Sequence, residues 1–352
     1  MRQRILPVLV FLLAALLLPP LALGKFPALS LPSFAPQSAD EEDLGWIGES
    51  APSSQASRAE EVMLPADSPL DITEFKILNS ATGQVETVSV RDYVRGAVAA
   101  ELPATFHAMK AQAVAAHTWA LHCALTQREN PDPALKGADF SADPDHLKGY
   151  ARAEDIKATY GNMADEYWDK ITTAADSVMD YVLLYDGEPI QAVYHIGVTE
   201  SAENVWQASV PYLVPVESEG DLVAPAAEAE VTFTSAEMRA LLTAAFDGLV
   251  LGDNPALWLS PVSYTESGYI MDIKVGNLTV TGKEVRAALD LRSASFAISY
   301  DSAEDLFTIH TQGYGHGVGL SQYGADYMAR QGADFKEILT HYYTGVELAV
   351  LD

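Results

Sequence analysis

The stretch Gln312-Gly313-Tyr314-Gly315-His316-Gly317-Val318-Gly319-Leu320-Ser321-Gln322-Tyr323-Gly324-Ala325 constrains this chain more than any other. Five glycines around one histidine demand unusual backbone geometry and close chain approach, which side chains with a β-carbon resist. The stretch falls between an expected strand and an expected helix. A dinucleotide fingerprint needs G-x-G-x-x-G opening a helix in a βαβ unit; here the spacing is G-x-G-x-G-x-G, near the C-terminus. Gly319-Leu320-Ser321-Gln322-Tyr323 lacks the last glycine of a nucleophile elbow. A turn that shapes a pocket wall remains, with His316 serving either substrate or fold.

A second segment runs Tyr93-Val94-Arg95-Gly96-Ala97-Val98-Ala99-Ala100-Glu101-Leu102-Pro103, followed by Ala108-Met109-Lys110-Ala111-Gln112-Ala113-Val114-Ala115-Ala116. Glu101 is a lone acid in an apolar surround at an expected helix C-terminus. Burial and the negative end of the helix dipole both disfavour its carboxylate. A carboxyl kept protonated near neutral pH suits the protonation of a glycosidic leaving group. The bland alternative is a solvated glutamate at a helix end. Lys110 and His117, two turns apart, share a helix face. In a third segment, Ala192-Val193-Tyr194-His195 leads through a polar turn to Trp206 and then Val210-Pro211-Tyr212-Leu213. Strand end, turn and aromatics read as a site rim, with core packing the competing reading.

Hairpins are expected over Ile72–Leu78 and Val85–Val88, and over Tyr181–Tyr185 and Ile190–Tyr194. Helices are expected over Ser89–Leu102, Phe106–Gln127, Ala164–Val178, Thr234–Phe246, Lys283–Leu289, Ser321–Gln331 and Asp334–Tyr342. Strands are expected at Phe296–Tyr300 and Leu306–Thr311, and Asn130–Tyr150 reads as a loop. No internal repeat is present. The class is α+β: helices and short antiparallel strands or hairpins in one compact unit with a substrate groove.

The formal net charge of −28 repels nucleic acid and anionic lipid, so neither is an expected partner. The single cysteine, Cys123, excludes an intramolecular disulfide and reads as core. Arg2 and Arg4 precede an uncharged run from Ile5 to Gly24 that signals export. Residues 1–24 fit a transmembrane anchor or a signal peptide cut near Ala22-Leu23-Gly24; their length favours the anchor. Residues 25–70, rich in Pro, Ser and acids, read as a disordered linker, and 71–352 as the folded domain.

Together and in this order, the three segments resemble the stage II sporulation protein D family, which includes amidase enhancers. The resemblance runs from about Asp71 to the C-terminus. It implies a peptidoglycan lytic transglycosylase that cuts between N-acetylmuramic acid and N-acetylglucosamine during sporulation engulfment. It also implies a mother-cell membrane location and a partner amidase that first strips stem peptides. The family's catalytic acid matches Glu101. Substrate contacts are expected from Lys110, His117, Tyr194, His195, Tyr314, His316, Gln322 and Tyr323, with Lys110 receiving the lactyl carboxylate or orienting Glu101. No cofactor is expected. Relatives carry His, Cys and His-Cys metal ligands in the loop after the second helix. The matching positions here are Leu135, Ser141, His146 and Leu147, and a lone histidine does not hold structural zinc. Relatives also carry arginine where His117 stands, and a longer turn than Ile196-Gly197-Val198 after His195. The competing reading is a non-catalytic wall-binding protein that activates an amidase.

The two arginines ahead of the apolar run set a cytoplasmic N-terminus. N-terminal sequencing of the mature protein should return the intact start; a chain beginning at Lys25 would make the segment a signal peptide.

Overall fold

The computed structural model describes residues 61–65, 68–101, 105–161, 164–195, 210–222, 228–265, 268–313 and 317–351. The expected anchor and most of the expected linker lie outside these, as do Pro103, Trp206, Tyr314, His316 and the turn after His195.

The molecule is mixed α+β, as expected. Its first core surrounds one helix. Strands β1 (Glu61–Met63), β2 (Glu74–Asn79) and β3 (Val85–Ser89) lead into α1 (Val90–Ala100) and α2 (Phe106–Glu129). Ser89 caps α1 by accepting from the Asp92 N–H at 3.0 Å, satisfying one of the donors a helix start leaves open. Ala108, Met109, Ala111, Val114, Ala115, Ala116, Ala120 and Leu121 are all buried. A helix apolar around its whole circumference belongs inside, and its alanines let neighbours approach closely. On one side α2 meets the sheet β3-β2-β4, where β4 is Phe140–Ala142. On another it meets the sheet β1-β15-β5-β6, with β5 at Tyr181–Tyr185, β6 at Glu188–Pro189 and β15 at Glu347–Val350. Helices α3 (Ala153–Tyr160) and α4 (Ala164–Asp176) follow the β4 loop.

Three local expectations change. Asn130–Tyr150 contains β4, which pairs parallel with β2 at Ile77↔Phe140; three residues are too few to show alternation. The second hairpin turns at Asp186 and Gly187, both with positive φ, as a type I′ turn requires, but its return arm is Glu188–Pro189 and not Ile190–Tyr194. Pro189 has no N–H to continue the ladder. Glu61–Met63, within the expected linker, pairs parallel with β15.

The second core is built from residues 228–312 alone. Strands β8 (Glu228–Thr234), β9 (Leu259–Tyr264), β10 (Ile270–Val275), β11 (Leu278–Thr281), β12 (Phe296–Asp301) and β13 (Leu306–Gln312) form two three-stranded sheets. They pack with α6 (Ser235–Ala245) and α7 (Gly282–Leu289) around Met238, Trp258, Ile273, Val285 and Ile309. Capping boxes, Thr234 with Glu237 and Thr281 with Glu284, start the two helices. This lobe lies in the chain between β7 (Tyr194–His195) and β14 (Leu320–Ser321), which pair with each other in parallel. Parallel neighbours need a crossover, and here the crossover carries the whole second lobe. The short α5 (Glu219–Leu222) precedes it; α8 (Gln322–Arg330) and α9 (Phe335–Tyr342) follow it.

In the β4 loop, His146 bonds to Asp143 at 2.8 Å, while Leu135 and Leu147 offer no ligand. Among the described residues no three His, Cys, Asp or Glu side chains form a metal cluster. The loop is pinned instead by Arg152, which reaches Glu86 at 3.2 Å and Asp145 at 2.7 Å. Asn79 also donates to Glu86 at 2.9 Å. Purified protein should carry well under one zinc per chain by elemental analysis, and chelation should leave its melting temperature unchanged. Arg152→Met should lower that temperature by a few degrees, since it strands part-buried Glu86 and removes the tie to exposed Asp145.

Candidate active site

Helix α1 ends at Ala100, and Glu101 turns the chain into extended backbone at φ −101° and ψ 171°. Tyr93, Val94, Ala97 and Val98 fix α1 in the core, so Glu101 leaves the helix from a rigid support. Removal from water pushes its carboxyl above the ordinary glutamate range, and a hydrogen bond from Gln322 partly offsets this. The donor is Nε2 of Gln322 and the acceptor Oε2 of Glu101. Burial, with Glu101 contributing, also drives the phenols of Tyr93 and Tyr194 far above their usual value. Cys123, held at about 12 by burial, adds to both. The acid therefore sits among groups that stay neutral at physiological pH.

Tyr194 arrives through the β7–β14 pairing. Leu320 N donates to the Val193 carbonyl at 3.1 Å. A β-carbon on Gly319, at φ +83°, would lie 2.1 Å from that same oxygen. Ser321, opposite His195 in the ladder, caps α8 by accepting from Gly324 N at 3.1 Å and donates to buried Asp221. Gly324 sits so close to α9 that a β-carbon would fall 1.8 Å from the Tyr342 hydroxyl. Farther along α8, Asp326 accepts from Thr105 N at 2.8 Å. Helix α8 thus grips the chain on both sides of residues 102–104, at Glu101 through Gln322 and at Thr105 through Asp326.

Of the expected site residues, Glu101, Tyr194 and Gln322 come together, with His195 beside Ser321 and half-buried Tyr323 next on α8. Lys110 and His117 share a face, but it is the face packed on α9 and β5. The Lys110 ammonium lies 4.7 Å from the Phe106 ring centre and 5.8 Å from that of Phe335, and the charge acting on it is Asp334. The His117 ring faces the backbone of Met179 and Tyr181, and burial lowers its pKa to about 4. Tyr314 and His316 lie outside the described residues, between Gly313 and Gly317, both of positive φ. Sequence reading missed Tyr93, Asp221 and Asp326. It also missed Gln112, buried in α2 with neither amide atom bonded; an amide within an alanine–valine run was its visible signal.

The family description "Stage II sporulation protein" matches residues 79–185. The "Stage II sporulation protein D" of Bacillus subtilis is 32% identical over 295 residues, covering 81% of this chain and 80% of that protein. This chain belongs to the stage II sporulation protein D family. The protein of that name from Bacillus amyloliquefaciens is also 32% identical, over 291 residues and with the same coverage of both chains. The "Amidase enhancer" of Bacillus subtilis is 25% identical over 309 residues, 72% of this chain and 40% of that protein. The match to the family description spans Glu101 and α2 but stops at the end of β5, before Tyr194 and Gln322. In this stage II sporulation protein D family member, the acid and the elements that bury it thus lie on either side of that boundary.

A carboxyl whose folded pKa is raised binds its proton more tightly in the folded chain. Its contribution to stability therefore falls as pH rises from the ordinary glutamate pKa through the raised one, and is level above. Glu101→Gln, neutral at every pH, should melt above wild type at pH 8 and alongside it at pH 4, by calorimetry. An unchanged gap across that range would mean an acid that stays solvated.

Proposed function

We propose that this protein is a peptidoglycan lytic transglycosylase acting on glycan strands, with Glu101 as general acid and then general base. The observation that carries this reading is a desolvated carboxyl, held by an amide, with no second acid among the described residues that influence it. Glycosidases that activate water pair two carboxyl groups about 5–9.5 Å apart. One acid suffices when the substrate supplies its own nucleophile. Protonated Glu101 gives its proton to the glycosidic oxygen as the bond to the muramic C1 breaks. The resulting carboxylate then takes the proton of the muramic C6 hydroxyl while O6 closes on C1. The proton count is restored and a 1,6-anhydro end is left. Tyr93 and Tyr194, neutral throughout, line the acid without competing for its proton.

On this reading the chain is held to the membrane by residues 5–24 with its domain outside the cytoplasm, and acts with a cell-wall amidase in engulfment. The relative named amidase enhancer favours a second reading, a non-catalytic wall protein that activates an amidase. General acid–base help is worth about 10²–10⁴-fold. Glu101→Gln should bind strands lacking stem peptides yet release almost no anhydro-muramic fragments by mass spectrometry. Unimpaired cleavage by that variant would remove the assignment and leave the amidase activator.

A further inference from the structure

Gln322 is 5% exposed, and its amide is used unevenly. Nε2 donates to Glu101, while Oε1 is buried with no hydrogen-bond partner. Buried acceptors are costly to leave unpaired, so this amide is poorly explained as a device for stability. Its backbone is fixed independently. Gln322 is the first residue of α8, directly after the Ser321 cap, and Asp326 ties the same helix to Thr105. The amide therefore meets Glu101 from a frame that cannot follow the carboxyl if it rotates.

We propose that Gln322 is a positioning residue that distinguishes the two oxygens of Glu101, occupying Oε2 so that the acidic proton resides on Oε1. The reason is steric and electrostatic. A proton on Oε2 would point at an N–H that is itself a donor, whereas a proton on Oε1 leaves the hydrogen bond to Oε2 intact. One oxygen is then held by the protein and the other is left to deliver and recover the proton. This rests on the transglycosylase reading and adds to it which atom of the acid works. The titratable side chains coupled to Glu101 or neighbouring Gln322 among the described residues include Tyr93 on α1, Tyr194 and His195 on β7, and Tyr323 and Asp326 on α8, with Cys123 on α2 acting on both phenols. Tyr93, Tyr194 and Cys123 stay neutral over the working range.

The test uses full-length protein with ¹³C-labelled glutamate, the Glu101 carboxyl signal being assigned by its loss in Glu101→Gln. A hydrogen bond donated to a carboxylate favours the ionised form. Gln322→Met removes it at similar length, so the Glu101 titration midpoint should rise. The alkaline limb of cleavage, where the protonated acid is lost, should move up with it. At the optimum kcat should fall about tenfold or more, with KM within about threefold, as expected when an interaction made by the reacting acid is lost and binding is not. Gln322→Glu, which keeps length and polarity should the methionine variant fail to fold, should also raise the midpoint, because two adjacent carboxyls resist joint ionisation. A midpoint and limb that stay in place in the folded variant would overturn the proposal. The NMR titration needs no turnover, so it tests Gln322 separately. Cleavage by Glu101→Gln at the wild-type rate would sink the reaction, while an inactive Glu101→Gln beside an unshifted Gln322→Met would sink only the role of Gln322.

Discussion

Two residues of parallel pairing, Tyr194 with Leu320 and His195 with Ser321, hold this molecule's candidate chemistry in place. The pairing closes over Gly319, where the Val193 carbonyl leaves no room for a side chain. It brings Tyr194 from one part of the chain and Gln322 from another to an acid at the end of α1. The Val193 carbonyl also accepts from the Tyr343 hydroxyl at 2.8 Å, so the junction is anchored to the C-terminal segment as well. Any residue with a β-carbon at 319 would both collide with this oxygen and be strained at positive φ.

The electrostatics of the site contrast with those of the surface. The chain carries a formal charge of −28, yet among the described residues what acts on Glu101 is its own loss of water and one amide. A negative surface repels a second anion but does not reach a desolvated carboxyl through neutral phenols as strongly as local burial does. Burial thereby favours the protonated form of Glu101, whereas Asp176 is paired with Arg95 at 2.9 Å. In the β4 loop, too, carboxylates are paired, Arg152 gathering Glu86 and Asp145.

Lys110 and His117 illustrate how far a correct local rule reaches. Their spacing does put them on one face of α2. Tyr181 and Phe335, with ring centres 5.3 Å apart, continue the seam that this face packs against. Lys110 spreads its stem and ammonium over aromatic rings there, and His117 is neutral in the core. Helical periodicity reports which residues share a face, whereas what that face meets depends on a strand some sixty and a helix some two hundred residues away.

Much was legible from residues alone. Ser89, Thr234 and Asp334 mark helix starts because a side-chain oxygen satisfies open backbone donors locally. The α2 run reads as a helix because it is rich in alanine, the residue with the highest helix propensity. Glu101 stood out because burial of a lone acid follows from its immediate neighbours, and the glycine pattern at 313–324 announced close approach. What the sequence did not contain was the partner of each close approach. Gly319 needs the Val193 carbonyl, Gly324 needs the Tyr342 hydroxyl, and Glu101 needs Gln322, 221 residues later. Local propensity and burial pattern are properties of short segments, and so the sequence by itself announced most of the helices, though not α3 or α5, together with the α+β class and a lone acid in an apolar surround. Which side chains share the acid's surroundings depends on non-local packing, and only the tertiary structure decided that Gln322 and Tyr194 are there and that Lys110 and His117 are not.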